Sequence, residues 1–141
     1  MMTDRKVYNK VNKINAPVES GIKTVPVFTP NNVNSPDGTN YGPYVEFIAA
    51  TTSIIYITNI IFSDNTQQQD KISVDISVGA AGSEVVKAQL WSRHITNVNA
   101  VSNLIMPIPL KIPTGSRVAV RIRGSHAGSV NFPTVLQYVE T

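Results

Sequence analysis

At 141 residues, with 42% hydrophobic and 15% charged side chains, the chain has the size of one ordinary domain that buries a core without staples. The absence of cysteine excludes a disulfide scaffold, a thiolate zinc site and a cysteine nucleophile. The formal charge of +3 lies wholly within the first 23 residues, where Arg5, Lys6, Lys10, Lys13 and Lys23 outweigh Asp4 and Glu19, and the remaining basic and acidic side chains cancel. These cations are spread singly among Val, Asn and Pro, so nucleic acid is not the expected partner. The opening residues contain no apolar stretch fit for a signal-peptide core. The longest apolar run, Ile54 to Phe62, is interrupted by Tyr56, Thr58 and Asn59 and falls far short of the roughly 20 residues a membrane helix needs. No membrane partner is expected.

Residues 1–40 read as an extended N-terminal arm. They show no sustained periodicity and hold Pro17, Pro26, Pro30 and Pro36, with Pro43 just beyond, and each proline steers itself and its predecessor away from helix. Val7, Val11, Ile14, Val18, Ile22, Val25, Val27 and Phe28 make the segment too apolar for a free tail. It is expected to lie along its own domain or to reach across a neighbouring subunit. Val25, Val27 and Phe28 are the expected arm contacts, and the stretch from Lys23 to Thr29 suits strand addition at an exposed edge.

From residue 41 to residue 141 the pattern is all-β. Residues 44–50 and 53–63 are rich in β-branched and aromatic side chains. In the second, Ile55, Ile57 and Ile61 take one parity and Ile54, Tyr56, Ile60 and Phe62 the other, which predicts a central strand covered on both faces. The polar run 64–70 makes a loop. Ile72, Val74, Ile76 and Val78 then alternate with polar residues, Gly79-Ala80-Ala81-Gly82 suits a tight turn, and residues 84–91 return, so 71–91 is a hairpin. Residues 92–102 are rich in Asn and read as turns. In 103–113, Pro107, Pro109 and Pro113 cannot donate to a ladder and demand an edge strand or an extended segment. Val118, Val120 and Ile122 restore the alternation, and 130–139 closes the domain. About seven strands separated by turn signals predict an antiparallel β-sandwich of jelly-roll type over residues 41–141, preceded by the arm.

Chemistry-bearing residues are few. Asp75 stands on the polar face of its strand, and Arg117, Arg121 and Arg123 share the polar face of theirs, so a structural ion pair of Asp75 with Arg117 or Arg121 is expected if the two strands lie together. His94 and His126 are the only histidines and lack a neighbouring ligand set; no metal and no cofactor is expected. Ser125-His126 and Ser92-x-His94 place a hydroxyl beside an imidazole without an orienting acid or a nucleophile elbow. Asp75 and Glu84 could be imagined as a glycosidase pair, but Asp75 opposite an arginine is the stronger reading. No catalytic residue is nominated, and the chain is not expected to be an enzyme. Trp91 and Tyr44 are available as an aromatic ligand platform.

The phrases Asp75-Ile-Ser-Val-Gly-Ala-Ala-Gly-Ser-Glu-Val-Val86 and Pro107-Ile-Pro-Leu-Lys-Ile-Pro-Thr-Gly-Ser-Arg-Val-Ala-Val-Arg121 resemble a pattern found in small structural proteins of tailed bacteriophages, over about residues 41–139. The resemblance implies a β-sandwich displayed on a virion in several copies, of the head-decoration or capsid-auxiliary type, with no catalytic residues to carry over. The partners it implies are other virion proteins, the major capsid protein among them, and further copies of the same chain as a homo-oligomer. The alternative expectation is a receptor- or carbohydrate-binding sandwich of a tail fibre or baseplate.

Overall fold

The structure is a computed structural model that describes residues 21–63, 69–95 and 101–141, with the side chains of 69, 70 and 93–95 left aside. Nine antiparallel strands make up its regular structure: β1 (Lys23–Val25), β2 (Asn31–Ser35), β3 (Val45–Ile48), β4 (Ile55–Ser63), β5 (Gln69–Val78), β6 (Val85–Ile95), β7 (Val101–Ile112), β8 (Val118–Gly124) and β9 (Val130–Glu140). One sheet runs β1-β9-β4-β7, with β2 also paired to β9; the other runs β3-β8-β5-β6. The chain passes from one sheet to the other between β2 and β3, β3 and β4, β4 and β5, β6 and β7, β7 and β8, and β8 and β9, which is a jelly-roll sandwich.

The core is what the period-2 alternation dictates. Ile72, Val74 and Ile76 of β5 and Val118, Val120 and Ile122 of β8 face inward and meet Ile57, Ile60, Phe132 and Leu136 of the opposing sheet. Phe62 and Phe132 close one end in an edge-to-face pair with ring centroids 5.9 Å apart. The β5–β6 hairpin turns through Gly79 and Gly82, whose φ of 120° and 85° would strain any residue with a side chain.

β4 departs from its expected reading. It is central, between β9 and β7, but only one of its faces is covered. A register shift between Ile57 and Asn59 switches the parity, so that Ile55, Ile57, Ile60 and Phe62 all point into the core while Tyr56, Thr58 and Ile61 stay half-exposed on the outside. On β7 the same irregularity spans residues 106–109, because Ile57 pairs with Leu110 and Asn59 with Ile105. Pro107 and Pro109 fall inside this excursion, where no ladder bond is lost, and β7 is the edge of its sheet.

The boundary expected at residue 40 moves toward the N-terminus. β1 and β2 add to β9, in the registers Thr24 to Gln137 and Val33 to Phe132, and Val33 and Ser35 are buried. The strand addition expected of Lys23 to Thr29 thus takes place within the chain over Lys23–Val25, and these two strands raise the count from seven to nine. Of the Asn-rich stretch 92–102 expected as turns, residues 92–95 instead continue β6 and residues 101 and 102 begin β7; residues 96–100, like residues 1–20 of the expected arm, lie outside the described residues.

Candidate functional site

The two sheets differ sharply on their outer faces, and the candidate site lies on the β3-β8-β5-β6 face. The register sets β8 against β5 so that Asp75 lies opposite Arg121 and Ser73 opposite Arg123, while β6 places Gln89 beside Asp75 and Trp91 beside Ser73. Two rows of side chains therefore cross the sheet, Gln89-Asp75-Arg121 and Trp91-Ser73-Arg123.

In the first row Asp75 is 1% exposed, and its carboxylate accepts from Arg121 Nε and Nη2, both at 2.8 Å, and from Gln89 Nε2 at 2.9 Å. What buries it is the segment between β2 and β3. The rings of Tyr41 and Tyr44 stand 4.4 and 4.7 Å from the Arg121 guanidinium, and the Tyr41 hydroxyl shares a hydrogen bond with Ser73 Oγ and accepts one from Gln89 Nε2. A carboxylate capped in this way is a fastening, with no free face for proton transfer.

Arg117, the other expected partner of Asp75, points elsewhere. It lies beyond Ala119, out of reach of Asp75 in the register, and its Nε meets Glu46 at 2.7 Å while Nη1 meets Glu84 at 3.1 Å and the Gly79 carbonyl at 3.2 Å. This network joins β3, β8 and the β5–β6 turn. The Glu84 carboxyl is held below its ordinary value by its own backbone N–H first, with Arg117 and the Gly82 N–H adding to it against burial. Asp75 and Glu84 are thus each engaged by a different arginine and do not form the carboxylate pair of a glycosidase.

In the second row Trp91 is 59% exposed at the rim of a small cleft of about 170 Å³. Ser73 and Gly124 line its base, with Lys71, Arg123, Ser125 and Gly38 around it. Arg123 is steadied by the Thr39 carbonyl at 3.3 Å and by the Tyr41 ring at 5.3 Å. The platform expected of Trp91 and Tyr44 is therefore split: Tyr44 is taken up by Arg121, and Trp91 belongs to the cleft. Sequence reasoning had not grouped Lys71, Ser73 and Arg123 with Trp91. Only the strand register does so.

The loop that supplies Gly38 is folded on Asp37, whose carboxylate accepts from the Thr39 N–H and Asn40 N–H, both at 2.7 Å, and from the Thr39 hydroxyl and Asn40 amide at 2.8 and 3.0 Å. These donors, Asn40 foremost, hold its carboxyl far below the ordinary value of 3.8. A depressed carboxyl favours the folded loop fully above its unfolded pKa, about 3.9, and loses that contribution as pH falls toward the folded value. The protection factors of the Thr39 and Asn40 amides, each exchange rate taken against the intrinsic rate at that pH, are accordingly expected to fall on acidification below about pH 4, and in Asp37→Ala they are expected to be low at every pH. Equal pH profiles for the two proteins would contradict this.

His126 is half-buried on the β8–β9 loop, and the side chain of His94 lies outside the described residues. Among the described residues no group of three or more His, Cys, Asp or Glu could hold a metal ion, and no helix is long and apolar enough to cross a membrane. Of the expected arm contacts, Val25 packs on the core of its own sandwich, whereas Val27 and Phe28, in the β1–β2 loop, are 75% and 94% exposed.

No protein-family model and no curated protein matches the chain. Solved structures match in fold. They include Eiger TNF from S. frugiperda, at 16% identity and a TM-score of 0.41 over 86% of each chain. Murine APRIL matches at 12% identity and a TM-score of 0.47, over 85% of this chain and 98% of that one. A chain of the T13 IBDV viral particle matches at 10% identity and a TM-score of 0.43, over 84% of this chain and 30% of that one. At these identities and TM-scores the likeness says nothing of role; that the chain is an all-β, jelly-roll sandwich is read from its own strand order.

Proposed function

We propose that the chain is a non-enzymatic structural subunit of a bacteriophage virion, of the capsid-decoration or auxiliary type, and that it self-associates through the outer face of the β9-β4-β7 sheet. The observation that carries this reading is the composition of that face. Tyr56 and Ile61 of β4, Val135 and Val139 of β9 and Val101 and Ile105 of β7 lie on it in register, and Lys111 is the single charged residue that these three strands place there. Ile105 and Val101 are each 69% exposed, and Ile108 at the adjoining edge is 85% exposed. A sheet face with a single charge, its apolar residues set among Thr58, Asn103 and Gln137, beside an apolar edge is a liability in a solitary molecule and an asset in an assembly. Its occupant is a second copy, because a surface with one charge finds its match in another such surface, and the outer face of the other sheet is dense with ions. Val27 and Phe28 offer a separate apolar contact for a shell protein.

The test is the mass in solution. Wild-type protein is expected to sediment as an oligomer, and Ile105→Asp, which buries no charge within the monomer, is expected to sediment as a monomer with an unchanged far-UV spectrum. A monomeric wild type, or an oligomer indifferent to Ile105→Asp and Ile61→Asp, would overturn the proposed contact. Immunolabelling of intact particles tests virion placement independently; protein found only in the host lysate would remove it.

A further inference from the structure

The cleft beside Trp91 has a chemistry that the self-association reading does not use. Lys71 and Arg123 face it as cations, and neither has an acidic partner among the described side chains. Among the described side chains, Asp75 is spent on Arg121 and Gln89, and Asp37 on its own loop. Against the two cations stands the indole of Trp91, held on the edge strand β6 and more than half exposed, where a buried core position would hide it. The base of the cleft is polar and already satisfied, since Ser73 Oγ is bonded to Tyr41 and the Lys71 N–H donates to Ser125 Oγ at 3.2 Å. The wall is therefore preorganised, and a ligand need not order it.

We infer that this cleft binds an anionic saccharide, with one sugar ring laid on Trp91 and its carboxylate or sulfate held between Lys71 and Arg123. An apolar ring face with an attached anion is what an indole flanked by two unpaired cations complements. A cleft of about 170 Å³ with a single aromatic among the described residues of its lining has room to seat one sugar ring. Single-stranded nucleic acid calls for a longer groove with successive stacking aromatics and cations, whereas here the Asp75–Arg121 ion pair neutralises the row beside the cleft and Trp91 is the one aromatic among the described residues lining it. The site lies on the sheet opposite the proposed contact between copies, so an assembled subunit would keep it open, and either proposal can fail without the other.

Trp91 is the only tryptophan in the chain, so its fluorescence reports on the cleft alone. The full-length protein is titrated with sialyllactose, with a heparin-derived tetrasaccharide, with lactose and with a single-stranded oligonucleotide. At least one acidic saccharide is expected to change the emission saturably and in a salt-sensitive way, with lactose inert; sialyllactose and the heparin fragment tell carboxylate from sulfate. Lys71→Glu, an exposed change that leaves the core untouched, and Arg123→Gln are each expected to weaken binding about tenfold or more, as is Trp91→Ala read by calorimetry. Silence toward both acidic saccharides, equal response to lactose, binding of the oligonucleotide alone, or full affinity in Lys71→Glu would each overturn the inference.

Discussion

Arg121→Ala is expected to destabilise the fold by about 3–5 kcal/mol, the range found when one partner of a buried ion pair is removed. The reason is the asymmetry of exposure: the Asp75 side chain is 1% exposed and the Arg121 side chain 30%. Without the guanidinium, the carboxylate stays beneath Tyr41 and Tyr44 with only the Gln89 amide at 2.9 Å to compensate it. The reverse change, Asp75→Ala, frees a guanidinium that already reaches water and keeps its stacking on two rings, so its cost is smaller, about 1–3 kcal/mol. Joint replacement by Asp75→Leu and Arg121→Met is expected to recover much of the loss, since apolar residues of similar volume often substitute for buried pairs at little cost. Urea-unfolding midpoints of the four proteins check this ordering. A larger loss for Asp75→Ala than for Arg121→Ala would show that the pair is not buried as described.

Gly42→Ala is expected to cost about 3 kcal/mol or more, at or above the upper end of the usual range for overpacking. Gly42 is buried where the chain leaves β2 for the outer face of the other sheet, and its N–H donates to the Ile122 carbonyl of β8 at 3.1 Å. A Cβ there would overlap the backbone carbonyl of Asn34 in β2. No flexible side chain can yield, so either β2 must shift on β9 or the segment carrying Tyr41 and Tyr44 must lift from Arg121. Thermal unfolding and the exchange rate of the Gly42 amide measure the effect. An alanine variant as stable as the wild type would mean that the crossing is looser than its geometry.

Ala81→Gly in the same molecule offers a contrast, since Ala81 is exposed in the β5–β6 turn and is expected to alter stability by less than about 1 kcal/mol. The turn is held by the positive φ of Gly79 and Gly82, with the Gly82 N–H donating to Glu84 Oε2 at 2.9 Å, and Ala81 adds nothing to that hold. A loss as large as that of Gly42→Ala would place the constraint in the wrong residue.

Much of the architecture was legible in the chain because the physical signals are local. Alternation at Ile72, Val74 and Ile76 and at Val118, Val120 and Ile122 can be satisfied only by strands with one face in a core, and the Gly79 to Gly82 run can only turn. Pro107 and Pro109 likewise announced an edge, because a residue without an N–H cannot serve two neighbours. The bulge in β4 was not legible. Its parity change depends on what β7 and β9 offer opposite Thr58, and a run apolar on both faces reads the same with or without it. The fate of residues 23–35 was also open, since a strand that can add to any edge does not name its partner.

The amino-acid sequence by itself determined the fold class, the hairpin, the edge character of β7 and the short roster of charged residues, because each follows from side-chain period or from the chemistry of one residue type. The tertiary structure decided which arginine meets Asp75, that Tyr41 and Gln89 seal it, and that Trp91 shares a cleft with Lys71 and Arg123. Those are matters of register between strands up to 52 residues apart, from Lys71 to Arg123, and register is set by the packing of the whole sandwich.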